Sequence, residues 1–247
     1  MGPLRAEILK LKRSLVWPVV IILPLALVFS AAFNTLASGA PLADGWHTLW
    51  MRTVAVHGLF PLSLGIALIA ALVWRADHRG GNGNALMSGP TRSRDIVLAK
   101  AAVVALLAAA MQPVLVAGVL VMGSLVLGLP GVLPAEYLAI SLLIMIACAP
   151  VAALQSGLAM ILRSFAAPVA VGLVGAGASI VALLAYEDAA IMSPYALLSR
   201  ATQLGTAAFA DSGDPGSGLI ALLLAVSALL TGAILAVSTA VLDRRDT

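Results

Sequence analysis

Residues 101–127 read AAVVALLAAAMQPVLVAGVLVMGSLVL. No charged side chain interrupts this run, and 18 or more such residues suffice to carry a helix across the hydrocarbon core of a bilayer. Working outward, five further runs of the same kind lie at 15–37, 52–74, 136–162, 168–185 and 219–241. The six predict an all-α integral membrane protein with six transmembrane helices. Composition agrees: 62% of the 247 residues are hydrophobic and 10% charged, against about 25% charged in an ordinary soluble domain. The mean hydropathy is +1.08. The segments between runs are too short for a separate soluble domain of typical size, so one transmembrane domain is expected over 1–247 and any energy-coupling machinery is expected on another chain.

The basic residues set the orientation. Arg5, Lys10, Lys12 and Arg13 precede the first run, and Arg75, Arg79, Arg92, Arg94 and Lys100 lie between the second and third. Arg163 follows the fourth, and Arg244 and Arg245 follow the sixth. That puts 12 of the 14 basic residues on one side, with only Arg52 and Arg200 on the other. Positive charge marks the cytoplasmic side, and an even number of crossings returns both termini there. The net charge of +3 reads as membrane topology and contact with anionic lipid, not as nucleic-acid binding. Asp44, Glu136, Glu187, Asp188, Asp211 and Asp214 fall on the acid-leaning outer side. The first 40 residues have the outline of a secretory signal peptide, but the apolar stretch is too long for one, and its removal would break the charge parity, so it is expected to remain as the first span.

Several segments carry finer signals. In residues 1–14, Leu4, Ile8, Leu11 and Leu15 fall on one helical stripe, with charged residues on the other faces. This predicts an amphipathic helix at the membrane surface, or else a basic flank that anchors the first span. Trp17 and Trp74 lie at inner span ends and Trp46 and Trp50 at outer ones, where interfacial aromatics belong. The fifth run holds Gly172/Ala176 and Gly175/Ser179, small pairs four apart that permit close helix approach, within this chain or between copies. Residues 186–218 are too polar to span and too long for a turn, so short re-entrant or outer-face helices are expected there.

Catalytic chemistry is not encoded. The three histidines, His47, His57 and His78, all precede the serine candidates Ser124 and Ser179, and no HExxH, P-loop or cluster of metal ligands occurs. Cys148 is the lone cysteine, which excludes an internal disulfide. The span interiors are nearly free of charge, unlike those of an ion-coupled carrier. Gln112 and Gln155 are the polar side chains deepest in the spans; helix–helix hydrogen bonding is their ordinary use, and contact with a transported molecule is the other.

The segment 75–100 is the longest on the basic side. It has glycines at 80, 81 and 83, an exposed apolar pair at Leu86 and Met87, and Gly89-Pro90 to end that short element. An apolar knob ringed by charge is what a protein groove grips; an ordinary positive-inside loop is the alternative. The order Asp77-His-Arg79, glycines including Gly83, Leu86, Met87, Pro90, Arg94 and then Lys100 resembles the first cytoplasmic loop of ABC-2-type transporter permeases. Residues 5–14, RAEILKLKRS, resemble the amphipathic N-terminal helix of that family. The branch most similar is that of the lantibiotic or bacteriocin immunity permeases. Two positions depart from the pattern: many relatives carry Glu where Asp77 stands, and a bulky aromatic residue near Asn82–Asn84.

The resemblance implies a permease subunit of an ATP-binding-cassette exporter for lipophilic or peptide compounds in the bacterial cytoplasmic membrane. A second permease, identical or different, would pair with it. Two copies of a separate ATPase would bind ATP and Mg beneath, while this chain would hold no cofactor and catalyse nothing itself. Asp77, Arg79, Gly83, Leu86, Met87, Pro90 and Arg94 would then form a coupling helix docked on the ATPase. The other function class is a membrane scaffold or immunity protein that sequesters a toxin without ATP.

Overall fold

A computed structural model describes residues 3–11, 14–39, 42–78, 93–162, 164–206 and 216–244. Among these residues every regular element is helical. A short α1 (Pro3–Lys10) precedes α2 (Val16–Ser38), whose end is capped by Gly39 in the left-handed region, the conformation that releases a helix at least cost in glycine. Next come α3 (Gly45–Leu59) and α4 (Pro61–His78), bent by 48° where they meet. Then follow α5 (Ser93–Val121), continued by a π-helical turn at Met122–Val126, α6 (Ala135–Ile161) and α7 (Ala166–Tyr186). A 3-10 stretch (Glu187–Met192), α8 (Pro194–Gln203) and α9 (Ser217–Asp243) complete the chain.

Five of these helices are long and apolar enough to span a bilayer, and the bent pair α3–α4 makes a sixth crossing. Its two ends lie at opposite faces. Trp46, at the start of α3, donates to the carbonyl of Pro130 in the α5–α6 turn at 2.8 Å, while Asp77, at the end of α4, is bonded to Lys10 of α1. We call the face that holds α1 the terminal face. The bend has a local cause. Pro61 has no N–H to give the carbonyl of His57, and its ring disfavours helical geometry at Phe60.

Two of the apolar runs begin later than the helices that contain them. The second crossing starts at Gly45, not at 52, because Trp46, Leu49, Trp50, Thr53, Val54 and His57 form one buried helical face that mean hydropathy hides behind Asp44, His47 and Arg52. Helix α5 starts at Ser93, eight residues before its apolar run, and so carries Lys100 into the protein. The tryptophans also differ from expectation. Trp17 is exposed, but Trp46, Trp50 and Trp74 are buried within the protein and do not reach the lipid interface.

Helices α5 and α6 form the centre; 56% and 61% of their apolar windows are buried, against 17% for α9. Pro150 in the middle of α6 leaves the carbonyl of Ile146 without its helical donor. Ser227 of α9 supplies one at 3.1 Å, the repair a bilayer demands when no water is present.

Between α7 and α9 the chain turns back into the bundle. The Tyr195 ring lies 2.4 Å from where a Cβ on Gly175 would sit. Gly175 is eleven residues from the Tyr186 end of α7, about 16 Å at 1.5 Å per residue. Four residues on, Ser199 sits 3.3 Å from Ser179, so α8 climbs back parallel to α7. Every residue of α8 from Tyr195 to Gln203 is buried. A helical hairpin thus enters from the face opposite α1 and is sealed against α3, α6 and α7. The small pairs of α7 are occupied in this packing: Gly172 faces Ala67 and Gln155, and Gly175 faces Tyr195.

Candidate functional site

At the terminal face four charged side chains meet. The first turns of α5 place Lys100 fully inside the protein. Its Nζ lies 2.9 Å from Glu7 Oε2 of α1 and is also paired with Asp77 Oδ2 of α4. Lys10 of α1 completes the ring, 2.7 Å from Glu7 Oε1 and 3.1 Å from Asp77 Oδ1. Two carboxylates and two ammonium groups alternate, so the cluster is neutral as a whole. That balance matters, because a buried charge without a partner costs several kcal/mol.

Contacts of Trp74 and His78 fix the ring to α6. The Lys100 ammonium lies 4.7 Å from the Trp74 ring centroid, within reach of a cation–π interaction. Trp74 Nε1 donates to Ser156 Oγ at 3.0 Å, and His78 Nε2 lies 2.8 Å from the Ala159 carbonyl while its ring stacks on Trp74. Four helices, α1, α4, α5 and α6, therefore converge within two residues of where segment 79–92 leaves α4.

Asp77 and Lys10 keep their charges near neutral pH. Burial alone would raise the Asp77 carboxyl, but Lys100 and Lys10 outweigh it and hold the group below its ordinary value of 3.8. Burial would lower Lys10, but hydrogen bonds to Glu7 and Asp77 prevail and raise it above 10.5. A paired, neutral cluster of this kind is not a proton donor or nucleophile. What it can do is hold α1, α4 and α5 in one relative position, or release them together.

Asp77 and Arg94 are the docking candidates that fall on described residues. Asp77 points inward to the two lysines. Arg94 is exposed and lines a cavity of about 470 Å³ with Asp243 and apolar residues of α5 and α9. Arg79, Gly83, Leu86, Met87 and Pro90 lie outside the described residues. Of the surface stripe, Leu11 is buried while Ile8 and Leu15 are exposed; Leu4 is within α1, its side chain outside the described set.

The two glutamines separate. With its amide oriented to suit its neighbours, Gln155 Oε1 accepts from the Tyr195 hydroxyl at 2.6 Å and the Gly172 N–H at 3.3 Å, and Nε2 donates to the Pro168 carbonyl at 3.1 Å. It joins α6, α7 and α8. Gln112 is equally buried, and neither of its amide atoms has a partner among the described residues.

Glu7 and Lys100 carry the site, and neither stood among the expected docking residues. Their signals were faint. Glu7 is the one acid in a basic stripe, and Lys100 is a cation one residue before an apolar run.

Among known families, residues 3–179 match the one described as ABC-2 family transporter protein. The match runs from α1 into α7 and contains every residue of the charged cluster. No curated protein compared with this chain matches it. With a helical bundle of membrane-spanning length, a matched segment covering well over half the chain and a built ion-pair junction inside it, this protein is a member of the ABC-2 transporter family.

Proposed function

We propose that the chain is the permease half of an ATP-driven exporter in the bacterial cytoplasmic membrane, with α1 and both termini in the cytoplasm. Segment 79–92 grips a separate ATPase through Leu86 and Met87, oriented by Arg79, Gly83, Pro90 and Arg94. Two permeases and two ATPases make the working unit. The cargo is a lipophilic or peptide compound, and the loop motif supports the immunity-permease branch.

One observation carries this reading. The fully buried Lys100 joins both roots of segment 79–92 to the surface helix α1. A load on that segment is thus shared at once by α1, α4 and α5 before it reaches α6 through Trp74 and Ser156. Nucleotide binding would then shift the spans between two access states by the difference in the ATPase's affinity for each. An ordinary surface loop would not need a buried ion-pair junction at its base, since exposed pairs are worth only about 0–1 kcal/mol.

The test is co-purification. Tagged chain, expressed with its genomic neighbours, is expected to bring down an ATPase, and Leu86→Asp is expected to lose it while remaining folded. Truncating an interface anchor costs about 1 to a few kcal/mol, and a buried aspartate costs more. Normal assembly by Leu86→Asp, or accessibility of Met87 from outside intact cells, would overturn the docking assignment.

A further inference from the structure

At the face opposite α1, a cavity of about 360 Å³ opens between α3, α6, the end of α8 and α9. Its floor is apolar, with Leu143, Leu204 and Ile220 among its residues, and its polar edge is His47, Glu136 and Tyr137. A concave, mostly apolar chamber with a few polar groups on one side is the general form of a small-molecule site.

Among the described residues the edge carries one carboxylate and no lysine or arginine. Glu136 lines the cavity, and both Glu136 and Asp44 act electrostatically on the Tyr137 hydroxyl. The two basic residues that the sequence assigns to this face do not line it. Arg52 Nη1 donates to Thr35 Oγ1 at 2.8 Å, and Arg200 is buried in α8. His47 Nδ1 is held 2.5 Å from the Tyr137 hydroxyl. The Tyr137 ring is itself fixed by stacking on Trp50, with centroids 5.2 Å apart.

A carboxylate above an apolar floor favours a ligand that is greasy and positively charged. The apolar body replaces water over Ala139 and Ile220, the accessible apolar residues of the lining. The charge faces the Glu136 carboxylate at the edge of the cavity. An anion of the same shape meets repulsion at that edge. We propose that this cavity is a binding site for lipophilic cations. That the bound cation is cargo on its way out rests on the export reading above; the binding does not.

The test uses the full chain in nanodiscs of zwitterionic lipid, without the ATPase. Saturable binding of tetraphenylphosphonium and of its near-isosteric opposite, tetraphenylborate, is measured by equilibrium dialysis against empty nanodiscs. The cation is expected to bind at least tenfold more tightly than the anion. Glu136→Gln is expected to weaken the cation at least fivefold, with Glu136→Asp retaining most of the affinity, and Leu143→Trp to abolish binding by filling the floor. Saturable binding of both ions alike, no saturable cation binding, or unchanged affinity in Glu136→Gln would overturn the proposal. The comparison of the two ions needs only the unmodified chain, so a variant that fails to fold does not block the result. Loss of the ATPase from the complex would leave this result untouched, which keeps the two readings separable.

Discussion

The two ends of this bundle are held together by different physics. At the terminal face, Glu7, Lys10, Asp77 and Lys100 join three helices, α1, α4 and α5, through ion pairs. At the other face, α8 is wedged in by missing side chains. Gly58 leaves room for Thr202, whose Oγ1 would lie 1.7 Å from an added Cβ, and Gly175 leaves room for the Tyr195 ring. Ion pairs are directional and depend on every member keeping its charge. Close packing is diffuse and depends on volume. The first kind of joint can switch as a unit when one partner is pulled; the second resists displacement along its whole length. That contrast fits the proposed function, in which one end receives force and the other stays sealed.

The largest effect is expected from Lys100→Met. It leaves Glu7 and Asp77 as buried carboxylates with only the half-exposed Lys10 between them, a loss of about 3–5 kcal/mol readable as a lower Tm in detergent. Lys100→Met with Asp77→Asn removes one charge of each sign and is expected to recover part of that loss. No recovery would mean that Lys100 acts by packing alone. Next in size is Gly58→Ala, where the new methyl must displace Thr202; overpacking of this kind costs about 1–3 kcal/mol. Its signature is faster hydrogen exchange in 194–203 with exchange in α1 unchanged. The reverse pattern would erase the distinction between the two ends.

Smaller changes sharpen the comparison. Tyr195→Phe removes the donor to Gln155 and is expected to cost about 0.5–1.5 kcal/mol, again felt at the hairpin and not at α1. Arg75→Ala removes a cation 5.6 Å from the Phe165 ring centroid and is expected to cost about 0.5–1 kcal/mol. The ion-pair end should also be insensitive to pH near neutrality. Asp77 titrates lower in the fold than in the unfolded chain, so its contribution is complete above its ordinary value of 3.8 and fades as pH falls through the lower folded value. Lys10 titrates higher, so its contribution holds below 10.5 and fades as pH rises through the raised value. Exchange at α1 should stay flat between these limits, and a transition near pH 6 or 7 would point to a histidine in place of this cluster.

Most of the architecture was legible in the sequence because lipid imposes a simple rule: an apolar stretch of sufficient length crosses. The helix ends were not, because at an interface the neighbours decide. Trp74 sits where a lipid-facing anchor belongs, yet Ser156, His78 and Lys100 claim it. Glu7 could be placed only on the polar side of a stripe, since the partner that carries it into the protein, Lys100, is 93 residues away. Gln155 illustrates the reverse. Its polarity was visible and its ordinary use, joining helices, is what the fold gives it, while Gln112 keeps two amide atoms unpartnered among the described residues. The re-entrant course of α8 follows from pairing small residues on α7 with a ring and a hydroxyl some 20 positions later, a match that no local pattern encodes.

The central claim is that the Lys100 junction passes ATPase motion to α1 and the spans. Spin labels at Ile8→Cys on α1 and Ser164→Cys, placed before α7 in a Cys148→Ala background, report it by pulsed electron resonance in the complex with the ATPase. The expected result is an ATP-dependent change in the distance distribution that disappears in Lys100→Met while the ATPase stays bound. The same ATP-dependent change in Lys100→Met, with the ATPase still in place, would contradict it.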